Sequence, residues 1–121
     1  MPEQKSRRDW CLFLKDMQHF FAKVQRYSQG LSRQQFIEDE LVFDAVLRNL
    51  ELLGEAAKQI PISIQESHPE VPWRRVAGLR DDLAHAYFGL EEETVWQIVT
   101  ESVPSLADQL AQVALAEGVS T

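Results

Sequence analysis

The residues best suited to chemistry lie in one stretch, Gly78–Gly89, which contains Arg80, Asp81, His85 and Tyr87. An imidazole can accept or donate a proton near neutral pH, because its unperturbed pKa is about 6.5. A guanidinium group binds phosphate through parallel hydrogen bonds. These residue types at this spacing therefore indicate proton transfer beside a bound phosphate.

The spacing also predicts a geometry. If the stretch is helical, Arg80 and Tyr87 share one face because they are seven residues apart, and His85 lies one turn beyond Asp81. Gly89 is suited to end that helix in the left-handed conformation, which places His85 in the last turn, where the helix dipole favours a protonated imidazole. The structural alternative is an ion pair between Arg80 and an aspartate. In that alternative His85 bonds to Asp81, and Tyr87 packs at a helix end.

Helices must position this stretch, because apolar residues recur at spacings of three and four along most of the chain. One such pattern covers Trp10–Tyr27, and a second covers Leu41–Ile60 and is expected to end at Pro61. A third covers Val95–Val113, where Pro104 should kink or divide the helix. We find no strand pattern and no internal repeat. The sequence therefore predicts an all-α up-and-down helical bundle, formed by a single domain of residues 1–121.

Local features refine this bundle. Ser32–Gln35 and Ser63–Glu66 have the spacing of a capping box, which predicts that a short helix starts at each serine. Gly54 lies in a patch of small residues that would permit the close approach of another helix. His68 lies in a turn-rich connector, where we expect its side chain to be solvated.

Composition excludes several classes of protein. Hydrophobic residues at 45% and charged residues at 26% of 121 are values of a globular domain, which argues against a disordered or fibrous chain. Cys11 is the only cysteine and the three histidines are dispersed, so we expect no metal site and no cofactor. No apolar stretch is long enough to span a bilayer, and no apolar signal core follows Met1. We therefore expect a cytoplasmic protein without membrane contact.

The net charge of −7 is an objection to a nucleic-acid function, because affinity for phosphate backbones comes largely from lysine and arginine. The charge is unevenly distributed along the chain. Arg74, Arg75 and Arg80 are close in sequence, whereas acidic residues gather at 38–40 and 91–93. The pattern predicts a small basic site on an acidic body, and the acidic surface could serve a basic protein partner.

Four blocks of sequence together resemble the HepT-like proteins of the HEPN superfamily. Arg80 to Tyr87 reproduces the Arg-x-x-x-x-His-x-Tyr motif of that family, with Asp81 as the polar residue after the arginine. The other three blocks are Arg48–Ala57, Val71–Arg74, and Tyr87–Gly89 followed by Val95–Val99. They occur in the family's order at similar spacing, and the resemblance covers nearly the whole chain.

The resemblance implies a HEPN-like bundle that forms a homodimer and acts as a toxin, a metal-independent endoribonuclease. Arg80 and His85 would be catalytic, with Asp81 and Asn49 in support, at a composite cleft between the two protomers. RNA carries its own nucleophile, the 2′-hydroxyl, so the protein needs only to move protons and stabilise charge on phosphorus. One histidine cannot readily serve as both base and acid, and a symmetric dimer supplies a second.

The resemblance also implies a protein partner and a modification. HepT-like toxins are paired with a minimal nucleotidyltransferase antitoxin, which would transfer AMP from ATP to Tyr87. The added phosphate would lie beside Arg80 and fill the site that RNA requires.

Several alternatives stay open at the level of sequence. Asn49 is either a polar residue satisfied within the core or a residue near the dimer interface beside the cleft. A competing function is a non-catalytic binding module that partners a nucleotidyltransferase and presents Tyr87 for modification, which the charge of −7 favours. A third is a purely structural helical dimer.

Overall fold

The computed structural model of the protein describes residues 7–83 and 92–119. These residues form eight α-helices and one π-helical segment, and no strand occurs among them. The order is α1 Arg7–Ser28, α2 Arg33–Glu38, α3 Glu40–Ala57, α4 Ile62–Ser67, α5 Trp73–Ala77, α6 Leu79–Asp82, α7 Glu92–Gln97, the π-helical segment Ile98–Ser102, and α8 Val103–Glu117. The predicted all-α bundle is confirmed.

The long helices form the core of the bundle. Helix α1 packs along α3 and also contacts α8. Helices α5 and α6 pack against α3. The apolar stripes predicted from periodicity supply Met17 on α1, Leu50 and Leu53 on α3, and Leu110 and Val113 on α8 to the core. On α1 the stripe was predicted to include Phe13 and Phe20, but these are only partly buried, and the neighbouring Leu14 and Phe21 are buried instead. Burial of these stripes removes apolar surface from water and is the main favourable term in folding.

The short helices test the predicted caps. At the start of α2 the Ser32 hydroxyl accepts from the Gln35 amide at 3.1 Å, and the Gln35 side chain accepts from the Ser32 amide at 2.9 Å, which confirms that capping box. The box predicted at Ser63 is wrong, because Pro61 is the N-cap of α4 and Ser63 lies inside the helix. Helix α3 ends at Ala57, three residues before the predicted end.

The C-terminal helical pattern is divided near Pro104, as predicted. The π-helical segment ends at Ser102 and α8 begins at Val103, so the proline lies in the first turn of α8. The helical backbone continues from the π-helical segment into α8, with the Val103 amide donating to the Ile98 carbonyl. Pro104 has no N–H to donate to the preceding turn, so the hydrogen-bond ladder is interrupted at this point. Helix α8 ends at Glu117, and its C-cap Gly118 has a left-handed φ of 70°.

The expectation that His68 is solvated is wrong. Its side chain is only 12% exposed, and its Nε2 lies 2.7 Å from Glu117 Oε2 near the end of α8. Its Nδ1 lies 3.6 Å from Glu70 Oε2, and its carbonyl accepts from Trp73 Nε1 at 3.0 Å. The connector between α4 and α5 therefore contacts the end of α8 through His68 and Glu117.

None of the helices in residues 7–83 and 92–119 combines the length and apolar character that crossing a membrane requires.

Candidate functional site

Helices α5 and α6 present the described part of the motif and are held against α3 by buried side chains. Trp73 at the start of α5 is 6% exposed, and Leu79 at the start of α6 is 7% exposed. Gly78 is both the C-cap of α5 and the N-cap of α6, so these two short helices meet at this residue. Arg80 therefore lies on a single helical turn, directly after the buried Leu79.

Gly54 permits the close contact between α3 and this pair of helices. A Cβ atom at Gly54 would lie 3.0 Å from the Val76 carbonyl oxygen and 3.4 Å from that of Ala77. Side chains rarely approach backbone oxygens this closely, so glycine lets the backbones of α3 and α5 come together. The predicted close approach at the small-residue patch is confirmed.

Arg80 extends from α6 toward the exposed end of α3. Its side chain is 63% exposed, and its Nη1 lies 3.9 Å from Glu55 Oε2. Lys58 Nζ donates to the same oxygen at 3.0 Å. The hydrogen bond and charge of Lys58, with a smaller contribution from Arg80, hold the pKa of Glu55 below its usual value. Within residues 7–83 and 92–119 the anionic partner of Arg80 is therefore a glutamate of another helix, and not the aspartate that the structural alternative predicted.

The helix that contains Arg80 is shorter than predicted. Helix α6 ends at Asp82 with Leu83 as its C-cap, so the condition that Gly78–Gly89 forms one helix is not met at Leu83, and residues 84–89 lie outside the described residues. Leu83 is fully buried, and its amide donates to the Leu79 carbonyl at 2.9 Å. Asp81 is exposed on this turn.

His85 and Tyr87 lie outside the described residues. The face shared by Arg80 and Tyr87, and the position of His85 one turn beyond Asp81, therefore stay predictions.

Asn49 is the buried polar residue of α3. It is 7% exposed, and its Nδ2 donates to the Ala45 carbonyl at 2.8 Å. This bond is what the core interpretation requires, since a buried amide is costly unless it is paired. The adjacent Arg48 is 69% exposed, with its Nη1 3.9 Å from Glu51 Oε1. A supporting role for Asn49 in the cleft stays a prediction.

A cavity of about 640 Å³ lies beside α6. Leu79 and Asp82 of α6 contribute to its wall, together with Arg75 of α5 and Thr94 of α7. Arg74 and Arg75 are both exposed, so the basic residues predicted to gather near the motif are at the surface. Within residues 7–83 and 92–119 no three histidine, cysteine or acidic side chains are grouped so that they could hold a metal ion.

Comparison with known proteins matches this chain to one family. The family model described as "Ribonuclease HepT-like" matches residues 17–113. A protein of Thermococcus cleftensis named "Probable ribonuclease HepT" is 37% identical over 103 residues, which cover 85% of this chain and 91% of the relative. A candidate RNase of Methanocaldococcus jannaschii is 33% identical over 107 residues and 88% of both chains. No solved structure gives a significant match.

Proposed function

Because this chain belongs to the family of HepT-like ribonucleases, we propose that it is a metal-independent endoribonuclease. It acts as a cytoplasmic homodimeric toxin, with RNA bound at a composite cleft between two protomers. The observation that carries the proposal is Arg80, an exposed guanidinium on a helical turn that packs on α3.

Arg80 is suited to bind the phosphate that is attacked. Its separation of 3.9 Å from Glu55 exceeds the length of a hydrogen bond, so the donors of its guanidinium are not held by that carboxylate. A phosphate offers several oxygens at a geometry that matches the guanidinium fork. Negative charge that develops on these oxygens in the transition state would be stabilised by Arg80.

His85 is the proposed acid or base. It follows Leu83 by two residues in the sequence. Leu83 is fully buried next to the turn that carries Arg80. In the proposed reaction the 2′-oxygen of RNA loses its proton and attacks phosphorus, and the 5′-oxygen leaves with a proton. A histidine from each protomer would supply the base and the acid.

Asp81 and Asn49 have supporting roles in this proposal. Asp81 is exposed beside Arg80, and its carboxylate can accept a hydrogen bond from an imidazole N–H. Asn49 is buried, follows the exposed Arg48 on α3, and would keep this part of the helix in place through its bond to the Ala45 carbonyl.

Cleavage of RNA in the presence of EDTA tests the proposal. We expect the wild type to cleave and His85→Ala to lose cleavage, since removing a general acid or base typically costs about 10²- to 10⁴-fold in rate. His19→Ala is the matched control, because His19 is an exposed histidine on α1, and it should cleave like the wild type. Absence of cleavage by unmodified wild type would contradict the proposal. It would favour the non-catalytic module that partners a nucleotidyltransferase.

We further propose that Tyr87 is the acceptor of AMP from a cognate nucleotidyltransferase antitoxin. The tyrosine oxygen would attack the α-phosphorus of ATP, the tyrosine proton would be lost, and pyrophosphate would leave. Each AMP then adds about one negative charge, which Arg80 would bind in place of RNA.

Intact-mass spectrometry after co-expression with the adjacent nucleotidyltransferase, where one is encoded, tests the modification. We expect AMP-sized increments in the wild type and none in Tyr87→Phe. Tyr27→Phe is the control, because Tyr27 is the only other tyrosine of the chain, and it should keep the increments. Increments that persist in Tyr87→Phe would contradict this assignment.

A further inference from the structure

Two cationic side chains from different helices converge on a single carboxylate oxygen. Glu55 Oε2 lies 3.0 Å from Lys58 Nζ of the α3 C-terminus and 3.9 Å from Arg80 Nη1 of α6. We propose that Lys58 and Arg80 together form a phosphate-binding site, and that Glu55 occupies it when no RNA is bound. This inference rests on the proposed ribonuclease function and adds Lys58 to its substrate-binding residues.

The occupant of the site is an anion. Because its pKa is held below the usual value, Glu55 is ionised at neutral pH. Its oxygen accepts the charge-assisted hydrogen bond from Lys58 that an oxygen of a backbone phosphate would also accept. The carboxylate oxygen thus stands where a phosphate oxygen would be bound.

Arg80 by itself is a poor site for RNA. The helical turn that carries this one cation also carries the carboxylates of Asp81 and Asp82, and Glu55 Oε2 of α3 lies 3.9 Å from its Nη1. A second cation raises the local positive charge, and attraction for phosphate grows with the number of such contacts. Lys58 is the cation that the structure places at the same oxygen as Arg80.

Glu55 can be displaced at little cost. The three side chains are 45% to 63% exposed, and ion pairs between exposed groups contribute little to stability. A phosphate group that enters between Lys58 and Arg80 makes stronger hydrogen bonds, while Glu55 rotates toward solvent.

Lys58 also has a structural explanation, which the experiment must separate from binding. It caps the C-terminus of α3, where a positive charge is favourable, and it pairs with Glu55 one turn earlier. If Lys58 has only this structural role, replacing it should change the thermal stability of the protein and leave its affinity for RNA unchanged.

Binding of a 2′-O-methyl oligoribonucleotide, which lacks the nucleophile and is not cleaved, tests the inference across a series of salt concentrations. In Lys58→Gln we expect weaker binding, and a salt slope of log K smaller by about 0.7, the value for one phosphate contact on a single strand. Lys58→Arg should restore both. Glu55→Gln should bind more tightly than the wild type, because it removes the competing anion.

Lys15→Gln is the matched control, because Lys15 is an exposed lysine on α1, and it should keep the affinity and the slope of the wild type. If Lys58→Gln matches Lys15→Gln in affinity and slope while the wild type binds and cleaves RNA, the inference is wrong and the proposed function stands. If the wild type neither binds nor cleaves RNA, the proposed function fails and the inference fails with it.

Discussion

Replacing Gly54 by alanine should test how α3 positions the turn that carries Arg80. At an exposed position inside a helix this change stabilises a protein by about 1 kcal/mol, because alanine has the higher helix propensity. At Gly54 the added Cβ would lie 3.0 Å from the Val76 carbonyl oxygen and 3.7 Å from Leu79 Cβ. The nearest atom belongs to the backbone of α5 and cannot rotate away.

The magnitude follows from these two opposing effects. Overpacking of a tight interior contact costs about 1 to 3 kcal/mol, so after the gain in propensity we expect Gly54→Ala to lose roughly 0 to 2 kcal/mol of unfolding free energy. The contact is relieved when α5 and α6 move away from α3 by a few tenths of an ångström. Arg80 moves with them, so we also expect a slower cleavage of RNA.

Urea unfolding and the rate of RNA cleavage measure the two effects separately. Ala111→Gly, at an exposed position of α8, is the control for propensity and should lose about 1 kcal/mol with cleavage unchanged. A Gly54→Ala protein that is about 1 kcal/mol more stable and cleaves RNA at the wild-type rate would refute the reasoning.

Two further predictions concern stability. His68→Ala should lower the free energy of unfolding by about 1 to 2 kcal/mol in urea, because it leaves Glu117 partly buried without its partner. Glu117→Gln should lower it by less. Equal urea midpoints for the wild type and these two variants would contradict this prediction. Because the pKa of Glu55 is lowered in the folded state, its contribution is present above the unfolded value of about 4.5 and is lost as the pH falls further. The melting temperature of wild type should therefore exceed that of Glu55→Gln at pH 7 and approach it at pH 3, and a constant difference would argue against the ion pair.

Much of the fold follows from local sequence. The spacing of apolar residues predicted the long helices, because a side chain of a helix returns to the same face every three or four residues. The capping box at Ser32, the division near Pro104 and the close approach at Gly54 were also predicted, since each depends on the chemistry of one or a few neighbouring residues. The chemistry and spacing of the motif residues likewise indicated Arg80 as a phosphate ligand, which stays a prediction.

Tertiary structure decided what depends on contacts between distant residues. The sequence could not show that Glu117 meets His68, because 49 residues separate them and the connector reads as an exposed turn. Periodicity likewise could not show that α6 ends at Asp82. The next residue, Leu83, is the C-cap and is fully buried in the core. The pairing of Arg80 and Lys58 around Glu55 required α6 to pack on α3, and that packing is set by burial across the whole bundle. Residue types and local spacing therefore specified the helices, whereas only packing between helices determined which charges face each other.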